Sequence, residues 1–230
     1  MPDPKELHSI PKGARIILVR HGRPHLPLRP RTGHRGFADY IDAYEAAGLD
    51  PENLPPRELS DLVKELDHVF TSDRPRSHQS ARALAPHAIL QADPLFAEAP
   101  LAAPRIPLLK MRVPKWAVVA RVLWHAGYHP EIEDYRKAKH RASQAADILI
   151  GKLVDGGSAV PERPRERERP EEERPRERER PEKKANAVAL VAHGYFNAMI
   201  GRQLRQRGFT RTGAHRVRYW NAVTYEWNPP

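Results

Sequence analysis

Arg15-Ile16-Ile17-Leu18-Val19-Arg20-His21-Gly22 is the stretch on which the reading of this chain turns. Four aliphatic residues in a row, three of them β-branched, predict a short strand buried on both faces, because such a strand carries an unbroken apolar run rather than an alternating one. The run stops at His-Gly. A strand ending this way sets an imidazole at its carboxyl edge, and the glycine lets the backbone turn away at once. The pattern returns late in the chain, where 187–192 lead into His193-Gly194. Two such edges in one sheet bring two imidazoles to one pocket.

Between the two edges the periods alternate. Residues 15–20 and 68–71 read as strands, 88–91 as a short third strand and 187–192 as a fourth. Residues 37–47, 56–66 and 75–84 have helical spacing, and Ser72 and Asp73 stand as capping residues before Pro75. Helical spacing recurs at 115–125, 131–153 and 195–207, and 216–220 and 223–227 read as two last strands. Within 113–125, Val113, Trp116, Val119, Val122 and Leu123 form the apolar stripe expected to face the core, beside Lys115 and Arg121. Strands alternating with helices predict a three-layer α/β/α sandwich on a mostly parallel sheet. The 230 residues suit one such domain.

Composition removes several classes of function. There is no cysteine, so disulfides, thiolate catalysis and cysteine-ligated metals are excluded. Residues 1–12 lack the apolar core of a secretory signal. No run of about 18 apolar residues occurs. A cytoplasmic protein without membrane insertion is expected. The formal net charge of +10 points to an anionic ligand or surface. It does not arise in residues 162–182, where Glu-Arg-Pro-Arg-Glu-Arg-Glu-Arg-Pro-Glu occurs twice, at 162–171 and 173–182. Those 21 residues hold 8 Arg and 9 Glu and no apolar side chain except proline. A disordered loop over 161–184 is predicted, since nothing there can be buried to offset chain entropy. The interleaved glutamates neutralise the arginines, so nucleic acid is not expected as a partner.

The chemistry concentrates at the strand ends. Arg20 and Arg23 flank His21, and guanidinium neighbours hold an imidazole neutral and therefore nucleophilic. The same groups bind phosphoryl oxygens in bidentate fashion. Arg76, in the first turn of the helix behind 68–71, faces the same edge, where open parallel sheets bind ligands. This combination fits attack by a histidine on phosphorus.

Leu18-Val19-Arg20-His21-Gly22 resembles the signature of the histidine phosphatase superfamily, the phosphoglycerate mutase-like proteins. Arg76-Ser77-His78-Gln79-Ser80-Ala81 is similar to that family's second block, and Val191-Ala192-His193-Gly194 to its third, in the family's order. The resemblance implies that His21 becomes a phosphohistidine, that Arg20 and Arg76 clamp the phosphoryl group with Gly22, Arg23 and Gly194 beside them, and that His193 steadies the transferring charge. It implies a carboxylic acid after the third strand, matched by Glu98, with Asp93 as the rival. It also implies a cap at 101–135, and no metal or other cofactor. The chain departs from the mutases where Arg23-Pro24-His25-Leu26-Pro27 lacks asparagine, at Ser77, and at Tyr195-Phe196-Asn197. Hydrolysis of a small phosphorylated substrate is therefore expected rather than a mutase reaction. His25, Arg31, His34, Tyr195 and Asn197 are candidates for the pocket wall. The alternatives are a non-catalytic member that binds phosphorylated ligands or proteins, or an RNA- or membrane-associated basic protein.

Overall fold

The computed structural model describes residues 7, 9–27, 31–155 and 187–229; the Glu/Arg/Pro repeat lies outside them. Six strands form one sheet: β1 (Arg15–Arg20), β2 (His68–Thr71), β3 (Ile89–Ala92), β4 (Ala187–Ala192), β5 (Phe209–Thr212) and β6 (Ala222–Trp227). Their order is β3-β2-β4-β1-β6-β5. The first four run parallel, and β6 and β5 close the far side as antiparallel strands. The helices are α1 (His34–Ala46), α2 (Arg57–Val63), α3 (Pro75–Leu84), α4 (Val113–His125), α5 (Tyr135–Val154) and α6 (Gly194–Gln206).

The unbroken apolar runs are buried on both faces, as their composition requires. Ile16 and Leu18 of β1, with Val188 and Leu190 of β4, pack against α5 and α6. Ile17, Val19, Ala189 and Val191 point the other way, against α2 and α3. Helix α5 lies close to the sheet because its inner face is Ala138, Ala142, Ala145 and Ala146 before it widens to Leu149, Ile150 and Leu153. A third cluster stands apart from both: Phe37 of α1 against Val113, Trp116 and Ala120 of α4. Phe37 and Trp116 stack at 5.7 Å, and the Trp116 indole donates to the Thr32 carbonyl at 2.8 Å.

Three local expectations differ from what is found. Residues 217–220 are bends and turns, with Trp220 at φ 58°, not a strand. The strand instead is β5, whose Phe-Thr-Arg-Thr carries one apolar residue because it lies at the sheet's edge with only Phe209 buried. Helix α5 begins at Tyr135, where the Asp134 carboxylate accepts from the Lys137 amide at 2.8 Å, rather than at 131. Helix α4 buries Val113, Trp116, Ala120 and Trp124, while Val122 lies opposite and exposed.

Gly201 sits inside α6 where a Cβ would run into the buried Tyr225 hydroxyl. Helix propensity alone favours alanine there by about 1 kcal/mol. Overpacking overrides it, because Tyr225 is also held by His215 at 2.8 Å. Gly201→Ala is expected to lower unfolding stability by about 2 kcal/mol in a denaturant titration. A stabilised variant would show that Tyr225 yields freely.

Candidate active site

The register of the central strands assembles the site. β1 and β4 have equal length and pair from Arg15↔Ala187 through Arg20↔Ala192, so the residues that follow them come out abreast. The His21 amide carries the ladder one step further, donating to the Ala192 carbonyl at 2.9 Å. The two imidazoles therefore meet, with ring centroids 5.1 Å apart. On the other side of β4, Thr71↔Val191 pairing carries Ser72 to the end of β4, one residue short of His193, and the Ser72 hydroxyl lies 2.8 Å from His193 Nε2. Arg76, one residue into α3, reaches both rings. Its Nε lies 3.4 Å from His21 Nε2, and its second terminal nitrogen lies 3.4 Å from His193 Nδ1. Gly22 is held against the same helix by its amide, which donates to the Ser80 hydroxyl at 2.9 Å.

The partners assign the tautomers. His21 Nδ1 lies 2.6 Å from the Gly22 carbonyl, which can only accept, so Nδ1 carries the proton and Nε2 presents its lone pair. A guanidinium can only donate, so His193 Nδ1 accepts from Arg76, and Nε2–H donates to Ser72. Both rings are buried to within 1 % exposure. Burial holds the His21 imidazole well below the usual histidine range, with Arg76 and then Arg20 pressing it further down, against the Gly22 hydrogen bond. Burial does the same to His193, followed by His21, Arg76, Arg74 and Arg20. The sequence pointed to guanidinium neighbours as the cause of neutrality; removal from water comes first.

This neutrality has a cost in acid. The His21 and His193 values lie well below the unfolded histidine value of about 6.5, and burial lowers His215 to about 4. Below pH about 6.5 the unfolded chain binds protons that the folded chain refuses, so the stability present above that pH is lost toward pH 4. The melting temperature is expected to fall by at least about 5 °C between pH 7.5 and pH 5. A melting temperature that holds or rises over that range would contradict the burial of neutral imidazoles.

Helix α1 closes the site, although no motif in its own residues points there. The last-turn carbonyls of Tyr44 and Glu45 accept from one Arg76 nitrogen at 2.6 and 3.1 Å, satisfying groups that a helix end leaves open. The Glu45 carboxylate takes the other nitrogen at 3.2 Å and Arg74 at 2.9 Å. Arg76 is left with no exposed surface. The Tyr44 ring lies under the Arg76 guanidinium at 4.4 Å, and its hydroxyl is 3.4 Å from His21 Nε2. Burial pushes that hydroxyl up to about 12, so it stays a donor. Tyr219 stacks beneath Arg20 at 4.6 Å and lies 5.9 Å from the His21 ring. Arg20 Nε is buried without a hydrogen-bond acceptor among the described residues.

The remaining candidates separate. Glu98 accepts from the Phe196 amide at 2.9 Å and the Tyr195 amide at 3.4 Å, capping the start of α6 immediately after His193-Gly194. Asp93 instead caps the short turn Pro94–Phe96 through the Leu95 amide at 2.8 Å. Arg23 extends outward to Asp50 at 2.8 Å. Asn197 is buried and donates to the Val19 carbonyl at 3.0 Å, fixing the end of β1. Tyr195 pairs with His125 of α4 at 2.7 Å. His25 and Arg31 are exposed. Among the described residues, no group of three or more carboxylates and histidines is placed to hold a metal ion, and no helix is long and apolar enough to cross a membrane.

No protein-family model matches the sequence, and no curated protein matches it either. Solved structures do match. Phosphoglycerate mutase from Bacillus anthracis str. Sterne superposes over 95% of this chain and 91% of its own, at TM-score 0.52 and 10% identity. The chain has the phosphoglycerate mutase-like fold. A second structure with the same phosphoglycerate mutase-like arrangement, the mycobacterial glucosyl-3-phosphoglycerate phosphatase, covers 91% of this chain and 88% of its own, at TM-score 0.50 and 14% identity.

Proposed function

We propose that the chain is a metal-independent phosphomonoester hydrolase acting through a phosphohistidine at His21. The observation that carries this reading is a single one. A buried, neutral imidazole presents its Nε2 lone pair inside a site walled by Arg20, Arg76 and His193. Such a site suits a transition state whose charge spreads over phosphoryl oxygens, because its donors are fixed in place before the reaction. Of the two solved structures, one is named as a phosphatase, and that protein has also been seen in complex with VO3.

In the proposed reaction Nε2 attacks phosphorus, the P–N bond forms and the bond to the leaving oxygen breaks. Arg20 and Arg76 donate to the phosphoryl oxygens beside His193, while the His21 Nδ1–H stays hydrogen-bonded to the Gly22 carbonyl and keeps the ring oriented. Glu98, fixed by the α6 amides beside His193, gives the leaving oxygen its proton. In the second half, Glu98 takes a proton from water as the water oxygen attacks phosphorus and the P–N bond breaks, returning inorganic phosphate and neutral His21.

Glu98→Gln keeps an acceptor for the α6 amides and removes the acid. It is expected to lower kcat on an alkyl phosphate by about 100-fold or more. With an aryl phosphate, whose leaving group needs less help, hydrolysis of the intermediate should become limiting. Acid-labile phosphate should then accumulate on the protein after rapid quench. Unchanged kcat on the alkyl phosphate would return the role to another group.

A further inference from the structure

Helix α4 is apolar on both sides. Its inner residues, Val113, Trp116, Ala120 and Trp124, recur at spacings of three and four; the first three fill the cluster with α1, and Trp124 joins the core beside α5 and α6. The opposite side carries Lys115, Val118 and Val122, half a turn away at the helix's 100° per residue. Val118 is 64% exposed and Val122 62% exposed. Met111, Pro114, Lys115, Val118 and Val119 line one groove, which joins this face to the preceding loop. In that loop Leu108 is fully exposed and adopts φ 63°. A leucine at a positive φ is costly where glycine or asparagine would be free of strain, and here the side chain recovers nothing from packing.

The charge around this face has one sign. From 99 to 130 there are five Lys or Arg residues and no Asp or Glu. Arg105, Lys110, Arg112 and Lys115 are exposed, and none has an ion-pair partner among the described residues. A second copy of the chain does not fit, since an isologous contact would set these cations against their own counterparts. A protein partner fits poorly, because both tryptophans turn inward and the face offers no aromatic anchor.

We propose that the outer face of α4 and the 105–112 loop dock peripherally on an anionic lipid surface. Leu108, Val118 and Val122 enter the headgroup boundary, and the four exposed cations meet the acidic headgroups. None of the residues lining the groove belongs to the candidate site, and docking needs no catalytic step, so it stands or falls independently of the proposed hydrolysis.

The test is co-sedimentation of the full chain with vesicles of phosphatidylcholine alone or with about 30% phosphatidylserine. Binding is expected to be at least about tenfold stronger on the acidic vesicles and to weaken steeply as salt rises above about 0.15 M. Val118→Ser/Val122→Ser and Leu108→Ser are each expected to weaken it about fivefold, while hydrolysis of a soluble aryl phosphate is unchanged. Removing 162–182 is expected to leave binding intact. Equal binding to neutral vesicles, no binding, indifference to the serine variants, or loss on removing the repeat would each overturn the proposal. So would a dimer in sedimentation equilibrium that the serine variants dissociate.

Discussion

His21→Ala is expected to lower kcat/KM on an aryl phosphate by at least about three orders of magnitude and to abolish acid-labile phosphate on the quenched protein. The size follows from what the side chain supplies. Arg20 and Arg76 can bind a phosphoryl group without His21, but the guanidiniums only donate and have no lone pair to attack phosphorus, and in the proposed reaction His193 stands beside the phosphoryl group rather than attacking it. His21→Asn sharpens the test. It retains a donor for the Gly22 carbonyl and much of the volume, so it is expected to fold, yet it has no nitrogen lone pair to attack phosphorus. Both variants should still bind inorganic phosphate, because the cationic walls remain. Activity retained in either one would remove His21 from the nucleophilic role. Loss of activity together with loss of phosphate binding would point to a collapsed site instead.

The fold was legible because its central strands carry composition that only a doubly covered sheet tolerates. Residues 15–20 and 187–192 have no polar alternation, and each closes on His-Gly, so their pairing and the meeting of the two histidines follow from equal length alone. Strand β5 was not legible, because an edge strand facing water on most of its side chains has the composition of a loop. The site was legible only where strands deliver it. Arg20, His21, Arg76 and His193 stand at sheet edges with fixed offsets. Tyr44, Glu45 and Tyr219 reach the same place from a helix and a turn whose own sequences carry no sign of it, since their role depends on how the α1 end settles on Arg76. The resemblance singled out Glu98 as the acid after the third strand, with Asp93 as its rival, but gave no physical ground for the choice. The packing of α6 supplies one, by offering open amides to Glu98 while Asp93 caps the turn at Pro94–Phe96.

Arg76 and Glu45 should respond to substitution in opposite directions. Arg76→Lys keeps a positive charge at the buried position but cannot bridge His21, His193 and the α1 carbonyls at once, nor grip two phosphoryl oxygens. A loss of about 100-fold in kcat/KM is expected, with inorganic phosphate no longer raising the melting temperature. Glu45 is the acid that Arg76 holds in the free protein, through a carboxylate about one-third exposed. If a phosphoryl group sits on Arg76 as proposed, it competes with that carboxylate, and Glu45 is expected to act as an internal competitor. Glu45→Gln leaves the Tyr44 and Glu45 backbone acceptors in place and removes only the competing charge. Phosphate inhibition should therefore tighten about fivefold, with the larger gain at low salt where surface charge is least screened. If Glu45 served to orient Arg76 for the substrate, the same variant would weaken phosphate. The sign of that one inhibition constant separates a side chain that yields its place to the substrate from one that holds the clamp in position.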